Sequence, residues 1–159
     1  MRQYETHLAE VSAHLNAHHA KYVVVGATAL QLWGTTRATR DIDVLIEATI
    51  PNARRVLAAL GEVGFGFARE SLAEEVMTKP VTIMGDSPRV DILTVAWSVH
   101  YPEAARDATV FTVEGVKVPA ASIEHLIASK RTGRLQDAAD IEVLEEIRRL
   151  RGEETSRRR

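Results

Sequence analysis

Two aspartates one residue apart, Asp41 and Asp43, open a strand-like run continued by Val44, Leu45 and Ile46. Side chains alternate across a strand, so both carboxylates project to one face, roughly 6.5–7 Å apart along the chain. Ile42, Val44 and Ile46 project to the other face, toward a core. Like charges on one face of an apolar strand repel and lose hydration, and folding alone rewards neither. A divalent cation, or a pair of them about 3.5–4 Å apart, would use both carboxylates as ligands. The plainer reading is a strand mouth that caps a loop or pairs with Arg37 and Arg40 just upstream. A third acid stands in similar surroundings, because Asp91 is the only acid in the run RVDILTVA, residues 89 to 96. A lone acid in a buried strand is either hydrogen-bonded structure or part of a site.

The elements that must position these acids follow from periodicity and punctuation. Val23 to Val25 is a short β-branched run that stops at Gly26. A compact apolar segment with Ala29, Leu30, Leu32 and Trp33 follows and breaks at Gly34, and a polar linker then leads to Asp41. This reads as strand, glycine turn, short helix, polar loop, strand. Upstream, residues 5–20 form an amphipathic helix with Leu8, Val11 and Leu15 on one face. Downstream, Pro51 starts a helix over Asn52 to Val63 that carries Val56, Leu57 and Leu60. Ser71 to Met77 reads as a short helix and Val81 to Met84 as a strand. A turn through Asp86 and Pro88 then pairs that strand with the Asp91 strand, which becomes central. Asp86 is the fallback third acid, but its place in a Gly-Asp-Ser-Pro turn explains it without chemistry.

Residues 98–108 connect, helical from Pro102. A hairpin joins Val110–Val113 to Val116–Val118 through Glu114 and Gly115. From Ser122, an N-cap, the chain is helical to about Leu150 with a break near Thr132 and Gly133. Trp97, His100 and Tyr101 are able to stack on a base, although aromatics beside a strand end more often form core and rim. His14 and His18 have a zinc-compatible spacing but lack a third ligand, so a polar helix face is expected there.

At 159 residues the chain fits one domain, residues 1–150, able to bury about two-thirds of its unfolded surface. The segment 151–159 has no apolar residue to bury and is expected to be a disordered basic tail. A net charge of −2 and a pI near 6.3 argue against a binder of nucleic acid dominated by electrostatics. The absence of cysteine excludes disulfides, thiolate zinc sites and thiol nucleophiles, and fits a reducing compartment. With neither a signal-type apolar stretch nor a bilayer-length run, a soluble cytoplasmic protein without membrane partners is expected.

The string GATALQLWGTTRATRDIDVLI, residues 26–46, resembles the signature of the DNA polymerase β-like nucleotidyltransferase superfamily. It is most similar to the small bacterial branch that includes the abortive-infection nucleotidyltransferase toxins. That signature is a glycine turn, a short helix, an arginine–threonine loop and a DxD strand, completed by a third carboxylate on a later strand. Ala27 departs from it, standing where a second Gly or a Ser is usual. The string LIASKRTGRLQDAADIEVL, residues 126–144, also looks like the C-terminal part of the family, through Lys130, Arg134, Asp137 and Asp140. Ordinary charge pairing on a solvated helix face would account for the same four residues.

The resemblance implies an α+β nucleotidyltransferase fold: a mixed central sheet carrying the DxD strand, flanked by helices, with a C-terminal helical pair. It implies transfer of a nucleoside monophosphate from an NTP to a hydroxyl on RNA, protein or a small molecule. The implied cofactor is Mg²⁺ as two ions, with Mn²⁺ as a substitute, held by Asp41, Asp43 and Asp91, the catalytic acids. Gly26, Ala27, Thr28, Arg37, Arg40 and Lys130 are the implied nucleotide-binding residues, and an antitoxin is an implied partner. The competing expectation is a noncatalytic protein of the same fold that binds nucleotide or a partner protein.

Overall fold

The computed structural model of the chain describes residues 2–35, 39, 41–64, 72–85 and 88–157. Among these described residues the apolar runs become six strands: β1 (Tyr22–Val25), β2 (Asp41–Ile46), β3 (Val81–Gly85), β4 (Arg89–Leu93), β5 (Thr109–Val113) and β6 (Val116–Ala120). They form one mixed sheet in the order β3-β4-β2-β1-β6-β5. The tight hairpins β3–β4 and β5–β6 are antiparallel, as is β1–β2. The β2–β4 and β1–β6 pairs are parallel, which requires longer crossovers. The α+β fold expected from the sequence is the one observed.

Among the described residues seven helices accompany the sheet: α1 (Arg2–Ala17), α2 (Gly26–Leu32), α3 (Ile50–Glu62), α4 (Ala73–Thr78), α5 (Tyr101–Arg106), α6 (Ile123–Ser129) and α7 (Leu135–Arg157). Helix α1 packs on α3 and α3 on α4, whereas α2 meets α6 and α6 meets α7. Ile42, Val44 and Ile46 are fully buried, in one core with Leu8, Val11 and Leu15 of α1 and Val56 and Leu60 of α3. Leu45, on the same side of β2 as the aspartates, is equally buried. The acid-bearing side of the strand is therefore open only at its mouth.

Helix signals worked as chemistry. Thr49 caps α3 by accepting from the Asn52 amide, with Pro51 in the first turn, and Ser122 caps α6 by accepting from the His125 amide. Strand β4 ends at Leu93 rather than Ala96. Ala96 instead pairs with Val99 across a two-residue turn, and Trp97 in that turn has φ +57°.

The tail expectation is corrected for 151–157, which continue α7 as helix. Arg149 bonds Glu146 and Glu153 at helical spacing, and the Arg151 guanidinium lies 4.6 Å over the Trp33 ring. These polar contacts replace the apolar burial whose absence suggested disorder. Residues 158–159 lie outside the described residues. Among the described residues no helix is long and apolar enough to cross a membrane.

One buried side chain ties β1 to β2. Asn52, 1% exposed, accepts from the Lys21 amide at 2.7 Å and donates to the carbonyls of Lys21 at 3.0 Å and Glu47 at 2.9 Å. Lys21 immediately precedes β1 and Glu47 immediately follows β2, so this amide fixes the register that pairs Tyr22 with Ile46. Replacing Asn52 with Ala strands the Lys21 amide and takes one bond each from the Lys21 and Glu47 carbonyls, which keep the Glu47 and Thr49 amides, and a loss of about 1–3 kcal/mol in urea unfolding is expected.

Candidate active site

The site is built by one register. Strands β2 and β4 run parallel, with Asp43 opposite Asp91 and Asp41 opposite Arg89. Adjacent strands lie about 4.8 Å apart, so side chains of one level on one face must meet. The Asp43 and Asp91 carboxyls do meet, in hydrogen-bonding contact. Burial pushes the Asp43 carboxyl up to about 7, helped by the charge of Asp91, the bond to it and the charge of Asp41, with Lys130 opposing. The three acids named from sequence are thus brought together, and one of them is only half ionised near neutral pH.

Arg89 partly answers this charge. Its Nε and Nη2 donate to the two Asp91 oxygens at 2.7 and 3.0 Å, and its Nε lies 3.9 Å from an Asp41 oxygen. Sequence reasoning missed this residue. The signal was present, since a residue two positions before a strand acid shares its face.

Gly26 has φ +62°, and a Cβ there would overlap Asp43 Oδ2 and sit 3.0 Å from Asp43 Cγ. The absent side chain gives the carboxylate its place. Thr28 was expected to offer its hydroxyl to a nucleotide, but it is fully buried and already engaged. Its Oγ1 donates to the Asp41 carbonyl at 3.0 Å and accepts from the Asp43 amide at 3.2 Å, pinning the acid-bearing strand to α2. Ala27 is half-buried beside it. Arg37, Arg40 and the fallback acid Asp86 lie outside the described residues.

Lys130, the C-cap of α6, shares a cleft of about 260 Å³ with Gly26, Asp43, Trp97 and Arg134. Its ammonium lies 3.1 Å from Asp140 and 3.4 Å from Asp137. Asp137 is 4% exposed and held well below the usual carboxylate range, first by the Thr132 hydroxyl and then by the Lys130 and Arg134 charges. The four charged residues read in the second motif are therefore gathered at the α6–α7 junction, where the buried Asp137 anchors Lys130. Elsewhere, His14 and His18 both pair with Glu62, at 3.1 and 2.9 Å, which accounts for their spacing.

The donor set suits a hard divalent cation, because crowded carboxylate oxygens are its usual ligands and charge is what Asp43 lacks. Asp41, Asp43 and Asp91 would hold it. Among the described residues no three acid or histidine side chains are already spread as a ready metal cage. Arg89 bonds both oxygens of Asp91, so an arriving cation would either share them with it or displace it.

These features define a class: an α+β nucleotidyltransferase-like fold with its DxD strand beside a third acid. The solved structure of an antigenic nucleotidyltransferase-like protein from Paracoccidioides brasiliensis has a similar fold, with a TM-score of 0.59 at 16% identity over 94% of this chain and 77% of that one. The chain belongs to the family described as nucleotidyl transferase of unknown function (DUF2204), whose model matches residues 4–158. No curated protein matches it.

The raised carboxyl of Asp43 has a stability consequence in the metal-free protein. A folded value near 7 against an unfolded value of 3.8 means that the native state holds a proton the unfolded chain releases. The resulting stabilisation is complete below about pH 4 and is lost as pH rises through 7. Asp43→Asn removes that dependence. In EDTA its stability relative to wild type should climb from pH 4 to 7 and level off above, by roughly 2–4 °C in Tm per kcal/mol relieved. A difference that stays flat with pH would refute the assignment.

Proposed function

We propose that the protein transfers a nucleoside monophosphate from a nucleoside triphosphate to a hydroxyl acceptor, using magnesium, or manganese in its place. The observation that carries this reading is the in-register meeting of Asp43 with Asp91 beside Asp41. Membership of a family described as nucleotidyl transferase supports the same class of reaction. Bound cations supply charge compensation for the attacking and leaving oxygens.

The chain's own residues do the rest. Asp41 and Asp43 would hold both cations, and Asp91, on the acceptor side, receives the acceptor hydroxyl's proton. The acceptor oxygen then forms its bond to the α-phosphorus as the bond to the β-phosphate oxygen breaks, and pyrophosphate leaves. Backbone at Gly26 and Ala27 faces the phosphates. Lys130, with Arg37 and Arg40 of the polar loop, offsets triphosphate charge. We place the acceptor hydroxyl on RNA or protein, in the setting of a toxin whose antitoxin is encoded alongside, following the branch that the sequence resembles.

The test supplies each α-labelled NTP with Mg²⁺ and, separately, total RNA, lysate protein and small hydroxylated acceptors. Wild type should label one acceptor class, and Asp41→Asn or Asp43→Asn should reduce labelling at least about 100-fold. Equal labelling by wild type and both variants eliminates the mechanism.

A second reading is favoured by the two-pronged grip of Arg89 on Asp91, which suits a noncatalytic protein that binds nucleotide or a partner. Arg89→Gln separates the two. On the catalytic reading, the metal-free variant melts below wild type because its acids lose their counter-charge, and Mg²⁺ or Mn²⁺ raises its Tm more than it raises that of wild type. On the noncatalytic reading, neither protein responds to these cations beyond the effect of matched ionic strength.

A further inference from the structure

Trp97 is out of place by three independent measures. It is the most exposed aromatic on the rim of the cleft, at 61%, although a tryptophan usually contributes its large area to a core. It takes φ +57° in a two-residue turn closed by Ala96–Val99 backbone bonds of 2.8 and 3.0 Å, a position that favours glycine. It lines the same cleft as Gly26, Asp43 and Lys130. The other two nearby aromatic rings do not share this placement. Tyr101 packs on the core and His100 precedes α5 as its N-cap.

An exposed indole held on a disfavoured backbone adds little to folding, and its ring stands where a flat group could lie beside phosphates near Gly26 and Lys130. The geometry points to Trp97 as the platform on which the base of the nucleoside triphosphate stacks. This rests on the nucleotidyl-transfer reading above. The cleft, about 260 Å³, is small for a ligand of that size, so the base is supported on one side instead of being enclosed. One-sided stacking tolerates any base, and the four NTPs should bind within about tenfold of one another.

Trp97→Gly gives the most telling variant, because it relieves the backbone while removing the ring. By calorimetry with Mg²⁺, its affinity for ATP should fall about 5- to 100-fold, while its affinity for tripolyphosphate is unchanged. Its Tm should equal or exceed that of wild type, the reverse of what loss of a structural tryptophan would produce. Trp97→Phe should restore most of the ATP affinity. The chain has two tryptophans, so Trp33→Phe leaves Trp97 as the sole reporter, and ATP but not tripolyphosphate should quench its fluorescence. Should Trp33→Phe unfold, calorimetry on Trp97→Gly carries the test alone. Unchanged ATP affinity in Trp97→Gly overturns the platform while leaving nucleotidyl transfer standing. Failure of wild type to bind either ATP or tripolyphosphate overturns both.

Discussion

Two carboxyls forced against each other by a parallel register are the constraint to which the rest of the site responds. Asp43 and Asp91 sit opposite one another on β2 and β4, and no slide of either strand relieves them without cost. A slip of one residue would turn Ile42, Val44 and Ile46 out of the core and bring the aspartates in. Three fully buried side chains thus hold the acids in opposition. The apolar packing on one face supplies the free energy that keeps charge crowded on the other.

The neighbours make sense as local answers to that crowding. Arg89 meets Asp91 with two donors, Lys130 opposes the charge from across the cleft, and Asp43 ionises only with difficulty, its carboxyl pushed up to about 7. Thr28 and Gly26 then serve the acids and not a ligand directly. The buried hydroxyl of Thr28 satisfies backbone groups on both aspartates, and Gly26 clears space for one carboxylate. A residue can belong to a motif because it builds the site, without touching what the site binds.

The strands, the helix caps and the convergence of Asp41, Asp43 and Asp91 were legible in the sequence because each rests on local period or local capping chemistry. The Asp91 assignment needed one nonlocal step, that its strand follows the DxD strand and lies centrally, and the sheet order satisfies it. What escaped was decided by contacts between distant segments. Thr28 was expected to face a nucleotide, but its hydroxyl is buried against β2. Asn52 reads as an ordinary first-turn residue, yet it reaches two segments that have no sequence mark for it. The 151–157 segment has nothing to bury, and its helix instead rests on charge spacing and on a ring contributed by Trp33. Arg89 is a different kind of miss, since strand alternation alone puts it on the face of Asp91.

Away from the cleft, polar groups are largely paired, as with the clamped Asn52, the capped α3 and α6 and the His14–His18–Glu62 cluster, and the other left-handed non-glycine residues, His19 and Glu114, are exposed turn residues after α1 and between β5 and β6. At the cleft two separate penalties coincide: a carboxyl that burial and its acidic neighbours make hard to ionise and a tryptophan in a left-handed turn. Neither penalty requires the other. Buried charge is a matter of solvation and register, whereas the turn is a matter of backbone sterics, and one chain segment does not impose both. Strain and unsatisfied charge persist where the surrounding fold overrides them and tend to cluster at sites of function. Their coincidence around Gly26 and Lys130 is what recommends this cleft as the proposed site, where a cation would offset the crowded acids and a flat base would cover the indole.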